Sequence, residues 1–122
     1  MTETKPTDLD IVLQQVLDLA ELQQYFHPTL EGRVPVNIAR SDAFTGEPGL
    51  IKFDQPVRYV DKEQFVEDEY AAYIEFRAVE LSEQEATVYF AYEVEGVGGE
   101  VSLEKDNASG QWRVKDASVY EQ

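Results

Sequence analysis

The chain offers few side chains able to do bond-making chemistry. Its one histidine, His27, stands beside Pro28 at the end of an apolar-periodic segment, and there is no cysteine. An imidazole there serves as a general base, as a metal ligand, or as a partner for the last carbonyls of a helix; the third is the ordinary role at that position. The missing Cys removes disulfides, thiolate zinc sites, iron–sulfur clusters and thiol nucleophiles together. No Gly-x-Ser-x-Gly, His-Glu-x-x-His or phosphate-loop spacing occurs, which argues against the enzyme classes built on them. Gly96-Val-Gly-Gly has the composition of a phosphate loop, but it lies between two strand patterns with no helix after it and reads as a hairpin turn. Asp106-Asn-Ala-Ser-Gly opens like a calcium loop, yet it lacks a ligand at its third position and a Glu at its twelfth. The sequence therefore yields no catalytic, metal-ligating or cofactor-binding residue, and the expectation is a protein that is not an enzyme and carries no cofactor.

What the chain does have is carboxylate. Among 122 residues, 25 Asp and Glu face 10 Lys and Arg, a formal net charge of −15. Nucleic-acid and anionic-membrane binders need a basic face, so the expectation is neither partner. A glycosidase-type acid pair needs one carboxyl raised in pKa by burial, and most acids here fall on the polar phase of a helix or strand. From Asp61 to Glu95 there are 11 acids against Lys62 and Arg77. That segment reads either as a solvated face with an acidic connector or as a docking surface for a basic protein. Five Lys against 25 acids also suits a salt-adapted proteome. The candidate protein contacts are Tyr73, Glu75, Glu83, Glu85, Tyr89, Glu93 and Glu95. Tyr73 and Tyr89 lie on the polar phase of neighbouring strands, as a cross-strand pair or as contact residues.

The elements that must position these groups follow from periodicity. Leu9, Val12, Leu13, Val16, Leu19 and Ala20 recur at helical spacing, with Leu17 and Leu22 widening the stripe, and predict one long helix over 7–26 with Thr7 as its N-cap. Residues 1–6 read as a flexible N-terminus. Residues 27–69 read as irregular with short strands: Val34, Val36 and Ile38 alternate around Pro35, Ser41 to Gly49 reads as a loop, and Asp61 to Glu69 as one or two helical turns. From 70 to 120 the alternation is regular. Ile74, Phe76 and Ala78, then Ala86 to Val94, then Val101 and Leu103, then Trp112 and Val114, predict four strands joined by short links and so antiparallel. The apolar phase shifts to Ala117 and Val119, which predicts a bulge near Lys115-Asp116. The fold class is α+β in a single domain spanning 1–122, with the helix packed on a curved antiparallel sheet.

Ala86-Thr-Val-Tyr-Phe-Ala-Tyr, Val101-Ser-Leu-Glu-Lys and Gly110-Gln-Trp-Arg-Val, following a leading helix, resemble the cystatin-like superfold and its nuclear transport factor 2-like group. The resemblance covers the C-terminal half. It implies a cone-shaped pocket closed at one end by Trp112. Catalytic members of that group carry Asp–His or Tyr–Asp sets in the pocket, and His27 does not match such a set, so no catalytic residue is carried over.

The N-terminal residues Met-Thr-Glu-Thr-Lys-Pro-Thr-Asp lack the basic and apolar parts of a signal peptide, and no apolar run has the ~20 residues of a membrane span. The expected localisation is cytoplasmic, and Asn107-Ala-Ser is then a chance glycosylation pattern. Two functions remain. The first is a small acidic binding module of the inhibitor, immunity-protein or mimic kind, acting as a monomer or as a homodimer through the sheet. The alternative is a small-molecule-binding or enzymatic pocket protein.

Overall fold

The computed structural model describes residues 8–27, 29, 35–44, 46, 48–61 and 72–121. The N-terminal segment 1–6, the Thr7 cap, Val34 and the proposed turns over 62–69 lie outside these residues. Among the described residues, two helices, α1 (Asp8–Leu17) and α2 (Ala20–Phe26), precede eight strands. These are β1 (Asn37–Ala39), β2 (Ile51–Lys52), β3 (Gln55–Pro56), β4 (Arg58–Val60), β5 (Glu75–Leu81), β6 (Glu85–Tyr92), β7 (Val97–Lys105) and β8 (Trp112–Glu121).

The single long helix expected over 7–26 is in fact two. Leu19 interrupts it with an extended backbone, φ −55 and ψ 132. At 100° per residue, Leu9, Val12, Leu13, Val16 and Leu17 share one stripe. A straight continuation would bring Gln23 and His27 into that stripe and carry Leu22 and Phe26 off it. The break re-phases the second helix, and Leu22 and Phe26 become fully buried. No Pro or Gly causes the kink. A side chain inserts into the helical ladder instead: the Gln23 amide donates to the carbonyls of Leu17 at 2.9 Å and Leu19 at 2.7 Å.

The four-strand antiparallel meander is present, in the order β5-β6-β7-β8. The expected bulge falls at Lys115, since Ser102 pairs with Asp116 while Leu103 pairs with Val114. A second bulge lies at Arg77, between the pairs Phe76–Phe90 and Ala78–Tyr89. It turns Ala78, expected inward, to the outer face. The β6–β7 link differs from expectation. The turn is a 3-10 helix at Glu93–Glu95 closed by Gly96 at φ 68, and Val97, Gly98 and Gly99 belong to β7. Gly99 is required by packing: a Cβ there would lie 2.5 Å from the Phe90 ring and 2.7 Å from the Ser118 carbonyl oxygen.

The middle of the chain forms two small sheets. β1 pairs in parallel with β4, and Ile38 bridges Ile74 in parallel, so β1 lies between β4 and the start of β5. β2 and β3 form a hairpin whose two turn residues, Phe53 and Asp54, are both left-handed at φ 55 and 62. That is the backbone of a type I′ turn, in which Asn-Gly is usual.

The core lies between the helices and the inner face of the meander and includes Leu13, Leu17, Phe26, Ile74, Phe76, Tyr92 and Leu103. Trp112 faces it, 5% exposed, as its strand phase predicts. Its indole N–H donates to Asp8 Oδ1 at 3.1 Å, and Gln15 Nε2 donates to its carbonyl at 2.6 Å. These bonds set α1 against the last strand.

Candidate docking face

The outer face of the meander carries the acidic surface. Pleating sends Glu85, Thr87 and Tyr89 of β6 outward while Ala86, Val88 and Phe90 enter the core. Tyr89 stands opposite Ala78 on β5 and Glu100 on β7, and Glu100 stands opposite Ser118 on β8. The next row is Glu80, Thr87, Ser102 and Asp116. The row after it holds Glu85, Glu104 and Arg113, and Arg113 is bound to Glu104 through both Nε and a terminal nitrogen. Tyr89 is thus an exposed ring with a carboxylate on each side. Glu100, then partial desolvation, then Glu80 hold its phenol above the ordinary range, because a second negative charge there is repelled.

Tyr73, Glu75 and Glu93 meet at the other end of the face, around Arg77. Arg77, projecting from the bulge, places its Nε 3.2 Å from Glu75 Oε1 and a terminal nitrogen 2.7 Å from Glu93 Oε1. Its guanidinium is held still more firmly protonated by the bond to Glu75 and, next among the favourable causes, by Glu93. Tyr73 donates to Glu93 Oε2 at 3.4 Å. Glu75 is a correction. Its strand phase marks it as exposed, yet it is buried, as is Ala91 opposite it. Arg77 compensates its charge, so Glu75 presents no open contact surface.

The expected Tyr73–Tyr89 pair does not form. Tyr73 precedes β5 and reaches Glu93, whereas Tyr89 faces Ala78 beyond the bulge. Glu83 and Glu85 are exposed at the β5–β6 turn. Ser82 closes that turn, its hydroxyl accepting from the Glu85 N–H at 3.1 Å and donating to the Glu85 carbonyl at 3.0 Å. Glu95 lies away from the other candidates, with Oε1 3.1 Å from His27 Nε2. His27 therefore engages a carboxylate side chain from its left-handed C-cap position, where a bond to helix carbonyls was expected.

Sequence reasoning missed Glu80 and Glu100 as partners of Tyr89. Their outward phase was readable, but their adjacency depends on the register across two turns, which a linear window around residues 61–95 does not contain. It also missed a polar cluster beneath the β2–β3 hairpin. Lys52, 9% exposed, places its ammonium 5.3 Å from the centre of the Phe26 ring and 5.2 Å from that of Phe53. It bonds Gln23 Oε1 at 2.6 Å and Asp18 Oδ1 at 3.2 Å. An ammonium buried in this way is stabilised by the ring quadrupoles and the carboxylate together.

Among the described residues, no group of three or more His, Asp or Glu side chains is placed to hold a metal ion, and no helix is long and apolar enough to cross a membrane. No protein-family model, no curated protein and no solved structure matches the chain.

Proposed function

We propose that the protein is a non-catalytic binding module that engages a basic protein through the outer face of its meander. The carrying observation is the placement of Tyr89 between Glu80 and Glu100, an exposed aromatic ring within a carboxylate surface. Tyr is enriched in protein interfaces, where it buries area at a low entropic cost. Carboxylates around it steer a cationic partner and speed encounter. The packing of α1 on the inner face of the sheet supports the proposed cystatin-like assignment. The proposed compartment is the cytoplasm, with the protein a monomer or a dimer through the sheet.

A photo-crosslinking side chain at position 89 should trap a basic protein, whereas the same group at the exposed helix position Glu21 should not. The association rate with that partner should fall steeply with added salt, since exposed charges are screened beyond ~8–10 Å at physiological ionic strength. Glu80→Lys with Glu100→Lys should slow association more than it speeds dissociation, while the thermal midpoint barely moves. A salt-independent rate, or unchanged binding after the double reversal, would overturn the reading.

A further inference from the structure

We propose that the β2–β3 hairpin is a strap that opens as a unit without unfolding the rest of the chain, and that the Lys52 ammonium is the latch that holds it shut. The hairpin has little that would hold it by itself. Its ladder is two residue pairs, Ile51–Pro56 and Lys52–Gln55. A two-stranded hairpin of that length is not independently stable in water. Both turn residues occupy the left-handed region without being glycine, a conformation that persists only where surrounding contacts impose it. Hydrophobic burial within the hairpin comes mainly from the half-buried Phe53 ring, since Ile51 is 57% exposed and Asp54, Gln55 and Pro56 are exposed as well.

Among the described residues, the side-chain hydrogen bonds that hold the hairpin run to the broken helix. The Gln14 side chain clamps Ile51 as a neighbouring strand would, its Nε2 donating to the Ile51 carbonyl at 2.8 Å and its Oε1 accepting from the Ile51 N–H at 2.9 Å. Gln14 is held in turn by Asp18, at 3.1 Å. Lys52 reaches furthest, into Gln23, Asp18 and the two rings. Gln23 is the same residue that satisfies the carbonyls of the helix break, so one amide joins the latch to the kink. At its base the strap is rooted by the buried side chain of Leu50, while the bond from the Val57 N–H to the Leu50 carbonyl at 3.0 Å closes the hairpin and parts when it opens. Opening lifts Lys52 and the Phe53 ring from Phe26, whose ring is fully buried in the closed state. The slot left behind is an aromatic face edged by Asp18 and Gln23, which has the chemistry of an ammonium site.

Native-state hydrogen exchange tests this on the unmodified chain. The Ile51 and Val57 amides should share one opening event, nearly independent of low denaturant and at least a hundredfold more frequent than the openings that expose the β6 and β7 amides. In Lys52→Met, which keeps an apolar stem over the rings and loses the charge, protection at Ile51 and Val57 should fall at least a further tenfold while β6 and β7 keep theirs. Exchange of Ile51 and Val57 in step with β6 and β7 in the unmodified chain would overturn the strap. Protection that is unchanged in Lys52→Met, or that falls equally everywhere, would overturn the latch.

Discussion

The Trp112 indole N–H donates to Asp8 Oδ1 at 3.1 Å, joining the first turn of α1 to the first residue of β8. This bond is the largest influence, and together with the Lys105 ammonium it outweighs the opposing desolvation and sets the Asp8 carboxyl below its usual range. A carboxyl lowered in the folded state adds stability above its unfolded pKa and loses it as pH falls through the folded value. Asp8→Asn, which keeps an acceptor and loses the charge, should lower the urea midpoint near pH 7 and have no effect below roughly pH 2. With the Asp8 side chain 42% exposed, solvent screening limits the loss to under about 1 kcal/mol. An equal loss at both pH values would show that the bond acts without its charge.

Phe26→Ala should cost about 3–5 kcal/mol in denaturant unfolding, as for a fully buried aromatic. Gln23→Ala should cost about 1–3 kcal/mol, because it leaves the Leu17 carbonyl without its amide donor and the Lys52 ammonium without one of its acceptors. A near-neutral Phe26→Ala would mean that the second helix does not face the core.

These two residues also show what the sequence made legible. Apolar periodicity locates the helical segment, but Leu22 and Phe26 fall off the stripe of Leu9 to Leu17, and that phase slip is the signature of the break. It is read easily as a broad stripe because Leu19 fills the space between the two phases. The meander was legible because alternation is a local property. The bulge at Lys115 was legible for the same reason, from the shift to Ala117 and Val119. The bulge at Arg77 left a similar mark, since Val79 and Leu81 change parity relative to Ile74 and Phe76, but Ala78 fits either face and hides it. Other features have no local signal. The parallel pairing of β1 with β4, the surroundings of Lys52 and the rows around Tyr89 arise from contacts between distant segments.

Gly99→Ala should destabilise by about 1–3 kcal/mol, since the new methyl meets both the Phe90 ring and the Ser118 backbone. Gly49→Ala, where a Cβ would meet open space, should be neutral or slightly stabilising through reduced unfolded-chain entropy. Equal effects of the two in thermal melts would contradict the packing of Phe90 across β7.

The Tyr89 phenol should titrate above the usual tyrosine value in an ultraviolet pH titration. Glu100→Gln should bring it down most and Glu80→Gln less, following the order of their influence. A titration unmoved by Glu100→Gln would contradict the cross-strand adjacency of Tyr89 and Glu100.

The bonds from α1 to Trp112 also impose an order on biosynthesis. The helix emerges well before part of what its inner stripe packs against, the start of β8, since Asp8 and Trp112 are 104 residues apart. Until then a nascent chain displays unpaired leucines and valines, the kind of surface through which incomplete chains aggregate. The charge of −15 over these 122 residues is drawn from the segments synthesised before β8. Neighbouring chains at the same stage therefore repel one another during the interval when they are most adhesive. The same carboxylates that cover the finished surface thus keep unfinished chains apart.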